Sequence, residues 1–363
     1  MIFYLLLLVI YIWSFGQLLS FTNPVLPFTI YSLDIAVLIL TLSLLLSKKR
    51  KQIFKTPLTK PLFIFIGVVI LSFLLNIKQG IASGLPLSAF YLLRLIIYPS
   101  LFFAANFIGI SRLKKPLMLS IGIFCLLGIV QYLGFPDMRF LKSLGFDDHY
   151  FRLIGSLYDP NFTGAIFASL ALYFVGKNKI IISLPFIGLL ALTFSRASFL
   201  AFGVGLIYLL LTRKKVKLLI LVVLLGVIVY LIPKPFGEGV NLLRTFSIFS
   251  RIESWQSGLS LFVERPLFGW GYNTLRNATG GRFQIDNSLI FLLATTGLVG
   301  FMAFSNLLIK IYKNTKDKEI LLILLVILFH SLFNNSLFFI WISAMFWLAL
   351  GLAQKSKEYK SIE

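Results

Sequence analysis

The chain has 363 residues, 58% of them hydrophobic and 13% charged, with a formal net charge of +21. A soluble globular domain has no use for so much apolar surface, so the composition calls for lipid as solvent. The basic residues cluster between apolar runs, a topology signal that excludes nucleic acid as the partner behind the charge; the single cysteine, Cys125, lies in an apolar run and excludes an internal disulfide and a Cys/His metal site.

The first segment, MIFYLLLLVIYIWSFGQLLSF, has no basic n-region and no small-residue cleavage site, so it reads as a membrane helix and not as a removed signal peptide. A crossing helix takes roughly 20 apolar residues, with ~17 tolerated. About twelve segments qualify: 1–21, 27–47, 61–77, 86–109, 116–134, 160–176, 179–194, 197–212, 216–232, 286–312, 319–335 and 337–353. No internal repeat is visible, which counts against a transporter built from inverted repeats. If the segments alternate, SKKRKQIFKTPLTK, SRLKK, GKNK, TRKKVK, YKNTKDK and the tail QKSKEYK fall on one side. That side is the cytoplasm, with both termini on it. The expectation is an all-α polytopic membrane protein, one integral membrane domain over 1–363. Its outward segments run from about 134 to 159 and from 233 to 285, the second being a large periplasmic or extracellular loop.

Two charges fall within helices, Asp34 and Arg94. Each sits about seven residues from the outer end of its helix, a common depth of roughly 10 Å at ~1.5 Å per residue. An unpaired charge at that depth is costly, so the two are predicted to pair.

Sorted by side, the basic residues differ in kind. About 22 of the 34 lie inside, about 19 of them lysine; about 11 lie outside, about 8 of them arginine. Those arginines are Arg139, Arg152, Arg196, Arg244, Arg251, Arg265, Arg276 and Arg282. A planar guanidinium binds phosphate through two parallel hydrogen bonds, so the group points to an anionic, phosphate-bearing ligand on the outer face. Ion pairing with outer acids or with lipid phosphates is the plainer account of any one of them.

In GFDDHYFRLIGSLYDPNF, Asp147, Asp148 and His149 are too few for a metal and read as a solvated loop. Asp159-Pro160-Asn161 is helix-start chemistry, and Arg152 is the functional candidate beside it. In the short turn TFSRASF, Arg196 either snorkels to the interface or holds an anion. In FSRIESWQSGLSLFVERPLFGWGYN, Ser250 and Glu253 form a capping box that opens a helix, and Pro266 ends it. Trp255, Leu259 and Phe262 share one face of that amphipathic helix, which lies at the outer interface as a plain cover or as a lid with Arg251 turned inward. Asp286 heads DNSLIFLLATTGLVG as an N-cap or as a chemical group. His330, near the outer end of an apolar helix, is a packed histidine or an intramembrane functional one.

Together these motifs resemble the O-antigen ligase and polymerase superfamily. Its signature of His or Asp, Asn, nine residues, Gly, two residues and a small residue is filled by Asp286, Asn287, Gly297 and Gly300. Its outer-loop pattern is filled by Arg251, Trp255, Pro266, Gly269 and Gly271. TFSRAS and RLIGSLYDPN are similar too, so the resemblance covers about residues 150–335. Ligases carry His at the position of Asp286, and that departure favours a Wzy-type polymerase. The resemblance implies a GT-C-like architecture and an inverting glycosyltransferase of the outer membrane face that uses no metal, cofactor or nucleotide sugar.

The implied donor is a glycan on a polyprenyl diphosphate such as undecaprenyl diphosphate, and the implied acceptor is a sugar hydroxyl of a second lipid-linked unit. The bilayer and a chain-length regulator protein are the further partners. On this reading Asp286, Arg196 and Arg251 are catalytic, and Arg152, Trp255, Asn287, Tyr272 and His330 bind substrate. Trp255, Trp270 and Tyr272 stack on sugars or simply pack. The arginines are expected to keep the Asp286 carboxyl low. Ligase-type transfer to a lipid or protein acceptor is the alternative. A polysaccharide or lipid transporter fits less well, because the polar residues crowd on one side.

Overall fold

The computed structural model describes residues 1–21, 28–79, 84–213, 216–233, 238–243, 245–275 and 285–354. Arg244, Arg276, Arg282 and the basic tail lie outside the described residues. The regular structure is helical save for the antiparallel pair Ser20–Phe21 and Ile30–Tyr31 and an isolated bridge between Asp137 and Tyr150. In chain order the helices are α1 (Ile2–Phe15), α2 (Ser32–Leu46), α3 (Arg50–Ile53), α4 (Thr59–Leu75), α5 (Leu85–Ile97), α6 (Ser100–Ile108), α7 (Ile110–Gly134), α8 (Pro160–Gly176) and α9 (Ile180–Leu192). There follow α10 (Arg196–Arg213), α11 (Ile220–Leu231), α12 (Phe246–Glu264), α13 (Ser288–Asn314), α14 (Lys318–His330) and α15 (Ile340–Ala353).

Each apolar segment carries a helix, but the lengths differ. Ile2–Leu19, Leu85–Ile108, Ile110–Gly134, Arg196–Arg213 and Ser288–Asn314 are long and apolar enough to cross a bilayer. The apolar helices α2, α4, α8, α9, α11 and α15 run for 10–17 residues, short of the roughly 20 of a full crossing. The segment at 86–109 is two helices, because Pro99 has no N–H to carry the α5 ladder onward.

The outer faces of the helices are apolar, as lipid demands, and a minority of polar residues lies within an apolar core. On α7 the buried stripe is Leu113, Ser120, Phe124, Gly128 and Gln131, while Leu119, Leu126, Val130 and Leu133 are exposed. Several inward polar groups join neighbouring segments. Ser14 Oγ and Ser120 Oγ lie 2.6 Å apart, and Ser120 Oγ donates to Ile10 O at 2.7 Å, stitching α7 to α1. Gln131 Oε1 accepts from Ile154 N (2.9 Å) and Gly155 N (3.2 Å), and Gln17 Nε2 donates to Leu157 O (2.6 Å). Irregular backbone at 152–159 is thereby satisfied by side chains from two helices, as it must be away from water.

Four packed helices set the polarity of the bundle. α8 packs on α9, α10 and α14, and α13 packs on α4 and α12. At one end Lys177 Nζ meets Asp317 (3.2 Å) and Glu319 (3.1 Å), and Arg213 Nη2 meets Glu319 (2.5 Å). The connections after α8, α10 and α13 therefore share one end, and the first residues of those three helices share the other.

Asp34 and Arg94 do pair. Arg94 donates through Nε to Oδ1 (2.9 Å) and through Nη2 to Oδ2 (2.6 Å), while Tyr98 Oη donates to Oδ1 (2.9 Å) and Tyr31 N to Oδ2 (3.0 Å). Removing only the cation strands a buried carboxylate. Arg94→Met should cost about 3–5 kcal/mol. Asp34→Leu added to Arg94→Met should recover much of that but not all, because Tyr98 Oη and Tyr31 N lose their acceptor at roughly 1 kcal/mol each. Thermal unfolding in detergent reads both; a neutral Arg94→Met variant would refute the structural role.

Candidate active site

The site is built around a helix that is broken by its sequence. Gly297 interrupts α13 with φ 64° and ψ −166°, a conformation open to glycine and strained for other residues. The break frees backbone groups inside an apolar bundle, and the loop after Pro266 takes them up. Leu298 N donates to Pro266 O (2.7 Å) and Val299 N to Leu267 O (3.2 Å), while Trp270 N donates to Ala294 O (3.0 Å) and Gly271 N to Thr295 O (2.9 Å). The approach is too close for side chains. A Cβ on Gly297 would lie 2.2 Å from Leu267 O, and one on Gly269 would lie 2.5 Å from the Thr295 carbonyl carbon. Ser72 Oγ, from α4, donates to both Phe268 O (2.6 Å) and Thr295 O (2.8 Å) and locks the pair.

This clamp holds α12 and the start of α13 around a cavity of about 1380 Å³, part of it open to solvent. It lies at the end of the bundle away from the Lys177–Glu319 cluster. Asp147, Asp159, Asn161, Arg251, Asp286 and Asn334 supply much of its polar wall.

Asn287, not Asp286, caps α13. Asn287 Oδ1 accepts from Leu289 N (2.9 Å) and Ile290 N (3.1 Å), and its Nδ2 donates to Leu332 O (2.9 Å). Asp286 is held through its backbone N–H, which donates to Ser254 Oγ at 2.9 Å. Its carboxylate lines the cavity and takes no hydrogen bond or ion pair among the described residues. Burial raises the Asp286 carboxyl above its ordinary value, Arg251 pulls it back and Asp147 raises it further. This corrects the expectation of a low value. Desolvation outweighs the arginine because Arg251 does not close an ion pair with it.

Arg251 is anchored through Nε, which donates to Phe333 O at 2.9 Å. Its two terminal nitrogens have no protein partner among the described residues and face a cavity it helps to line. Burial draws its guanidinium down, with Asp286 holding it up and Arg196 adding repulsion. Arg196 reaches Leu242 O through Nη1 (3.0 Å) and repels Arg251, but, against expectation, it does not line the cavity.

The third arginine does other work. Arg152 is buried and donates through Nε to Thr193 O (2.9 Å) and Nη2 to Phe194 O (3.3 Å). It holds the turn that starts α10 and does not line the cavity. His330 is fully buried; Asn334 Nδ2 bonds its Nε2 (3.2 Å) and Ser336 Oγ its Nδ1 (2.7 Å), so it orients Asn334 from behind the wall. Tyr272 is on the wall, buried edge-on against Phe291 and Phe338. Trp255 packs against Phe333 (6.2 Å between rings). Trp270 is a packing residue, its Nε1 bonded to Leu261 O (2.8 Å) and its ring under Arg265 at 4.0 Å. Asp159 caps α8 as expected, accepting from Asn161 N (2.6 Å) and Phe162 N (3.1 Å).

Two expectations for α12 are corrected. The helix begins at Phe246 after Thr245, so Ser250 and Glu253 are internal and form no capping box. Leu259 is exposed, while Arg251, Ser254, Trp255 and Gly258 turn inward. Asp147, expected in a solvated loop, lines the cavity, and so do Asn273, Asn334 and Asn335, for which no role was expected. The pair Asn334-Asn335 inside the apolar run SLFNNSLFF was the signal available for the last two.

A second, apolar cleft of about 610 Å³, much of it open to the surroundings, lies beside the first. The two share Tyr91, Tyr272 and Phe338 in their walls.

The division of labour between Asp286 and Asn287 can be measured. Asn287→Ala should cost about 1 kcal/mol or more through the lost cap. Asn287→Asp should cost less, since it caps but cannot donate to Leu332 O. Asp286→Ala should cost nothing comparable. A melt series in which Asp286→Ala destabilises as much as Asn287→Ala would reverse the assignment.

Residues 181–305 match the family model Wzy_C, described as O-antigen ligase. The match takes in Arg196, Arg251, Asp286, Asn287 and Gly297 and leaves Arg152 and His330 outside it. A comparison with curated protein sequences gives no match. Over that stretch the chain is similar to O-antigen ligases, and its long apolar helices suit a multi-pass membrane protein.

Proposed function

We propose that the protein is an inverting, metal-independent glycosyltransferase that polymerises polyprenyl-diphosphate-linked repeat units on the outer face of the plasma membrane. The observation that carries this is one cavity wall bearing two complementary groups. Asp286 offers a carboxylate without a protein partner, and Arg251 offers a guanidinium fork with two unengaged nitrogens. The acceptor hydroxyl gives its proton to Asp286 as its oxygen attacks the anomeric carbon. The bond from that carbon to the diphosphate oxygen breaks, and the electron pair leaves with the diphosphate. Arg251, with Arg196 beside it, stabilises the charge that grows there. A single displacement inverts the anomeric centre. Arg152 positions Arg196 through the turn at Thr193 and Phe194.

In this reading the twelve apolar segments cross the membrane in a GT-C-like bundle. The Lys177–Glu319 end is cytoplasmic, the cavity opens outward, and the apolar cavity past Tyr272 takes the prenyl chain. A ligase reading is favoured by the description of the matching family. The product separates the two: a ladder of lengths from lipid-linked repeats alone marks a polymerase, and a single transfer to a different acceptor marks a ligase.

Asp286→Asn keeps shape and removes the base. Chain lengthening by purified protein should fall by on the order of a hundredfold, the lower end of general-base effects. The same change should not lower stability at pH 7. A carboxyl raised by burial adds stability below its unfolded value and loses it as pH rises through the folded value, so at neutral pH the charged form opposes folding. Wild-type transfer by Asp286→Asn would remove the base from the mechanism.

The acid limb of kcat/KM should lie above the ordinary aspartate value of about 4. Arg251→Gln should move it higher, since Arg251 is the group that lowers it; a limb that does not move would separate the two residues. Arg251→Lys keeps the charge and loses the fork, and should cost roughly tenfold or more, the worth of one charge-assisted hydrogen bond. Full activity in the Lys variant would mean that the fork is not used.

A further inference from the structure

Three side-chain amides on the cavity wall have no part in the chemistry above. Asn161 opens α8, Asn335 follows α14, and Asn273 lies in the turn after Gly271. Two of them are set by serines. Ser195 Oγ donates to Asn161 Oδ1 at 3.0 Å, and Ser288 Oγ donates to Asn335 Oδ1 at 3.2 Å. With each oxygen held, each Nδ2 is left as a donor without a protein acceptor among the described residues.

Asn273 is the most telling of the three. It is 8% exposed, and its Nδ2 is enclosed without a hydrogen-bond partner. Native proteins seldom leave a buried amide unsatisfied, because it loses water and gains nothing. Its backbone is left-handed, φ 57°, a conformation glycine takes most easily; glycine already serves the same turn at 269 and 271. Ser88 Oγ fixes the turn by donating to Asn273 O at 2.8 Å. Asn273 therefore stands on the cavity wall with its backbone fixed and its side-chain donor unpaired.

We propose that Asn161, Asn273 and Asn335 form a subsite for an uncharged sugar of the acceptor, donating to its hydroxyl or acetamido oxygens. The inference rests on the glycosyl-transfer reading and adds a substrate class to it. Neutral amide donors suit neutral oxygen acceptors. An anion would be drawn to Arg251 instead and repelled by Asp147, Asp159 and Asp286, which share the same wall. The rings of Tyr91 and Phe338, also on that wall, offer the apolar surface that the C–H face of a sugar requires. An acidic sugar, such as a uronic acid, is disfavoured at this position.

The test uses the full-length protein in detergent and one soluble probe, the repeat-unit oligosaccharide released by mild acid from the lipid-linked pool of the source cells. Asn273→Gly is the variant, because glycine accepts the left-handed backbone and folding survives. Binding of the probe by calorimetry should weaken roughly three- to tenfold, the worth of one neutral hydrogen bond. In chain lengthening the KM should rise by the same factor, with kcat changing less. Asn273→Asp, which swaps the donor for an acceptor and adds a fourth carboxylate, should weaken binding more than Gly does.

The outcomes separate the two claims. Wild-type protein that binds the oligosaccharide through Asn273 yet extends no chain keeps the subsite and refutes the polymerase. Wild-type protein that extends chains while both Asn273 variants bind and react like it refutes the subsite and leaves the polymerase standing. A probe that binds only when a uronic acid is present overturns the uncharged-sugar assignment.

Discussion

A helix broken inside a membrane exposes N–H and C=O groups that lipid cannot solvate, and the break at Gly297 organises this molecule. Four of the freed groups are met by the backbone of Pro266 to Gly271, with Ser72 closing the joint from α4. The loop cannot move away without stranding these groups at a cost of several kcal/mol each. That requirement fixes the loop to α13, the loop fixes the end of α12, and α12 brings Arg251 over the head of α13. The glycines serve geometry, since a Cβ at 297 or 269 would sit within 2.6 Å of backbone.

The head of α13 then divides two tasks between adjacent residues. Asn287 satisfies the open N–H groups of the first turn, and Asp286 is freed from capping. A carboxylate used as a cap is stabilised by the N–H groups it accepts from and becomes a weak base. One without such bonds, lifted by burial and only partly restrained by Arg251, is a stronger one. Asp159 at the head of α8 does serve as a cap, accepting two N–H groups that pull its carboxyl down against the larger rise that burial imposes.

The surrounding polar groups follow the same economy. Gln131, Gln17 and Arg152 each serve irregular backbone near the cavity, and the Asp34–Arg94 pair is fully bonded. The unengaged nitrogens of Arg251, the Asp286 carboxylate and the Asn273 amide lie on one wall.

Hydropathy alone determined the helical class and which segments are apolar helices, because a chain in lipid must satisfy its backbone within such runs. The spacing of Asp286, Asn287, Gly297 and Gly300 was legible only through its resemblance to the family signature; that Gly297 breaks the helix was decided by the fold. The pairing of Asp34 with Arg94 followed from depth, since a buried charge must find its opposite. Which of two adjacent polar residues caps α13, which arginines reach the cavity, and whether burial or Arg251 governs the Asp286 carboxyl were decided by tertiary structure. Each depends on distances between segments far apart in the chain. Asn161 reads in sequence only as helix-start chemistry, and Asn273 and Asn335 carry no signal there; only folding brings the three to one wall.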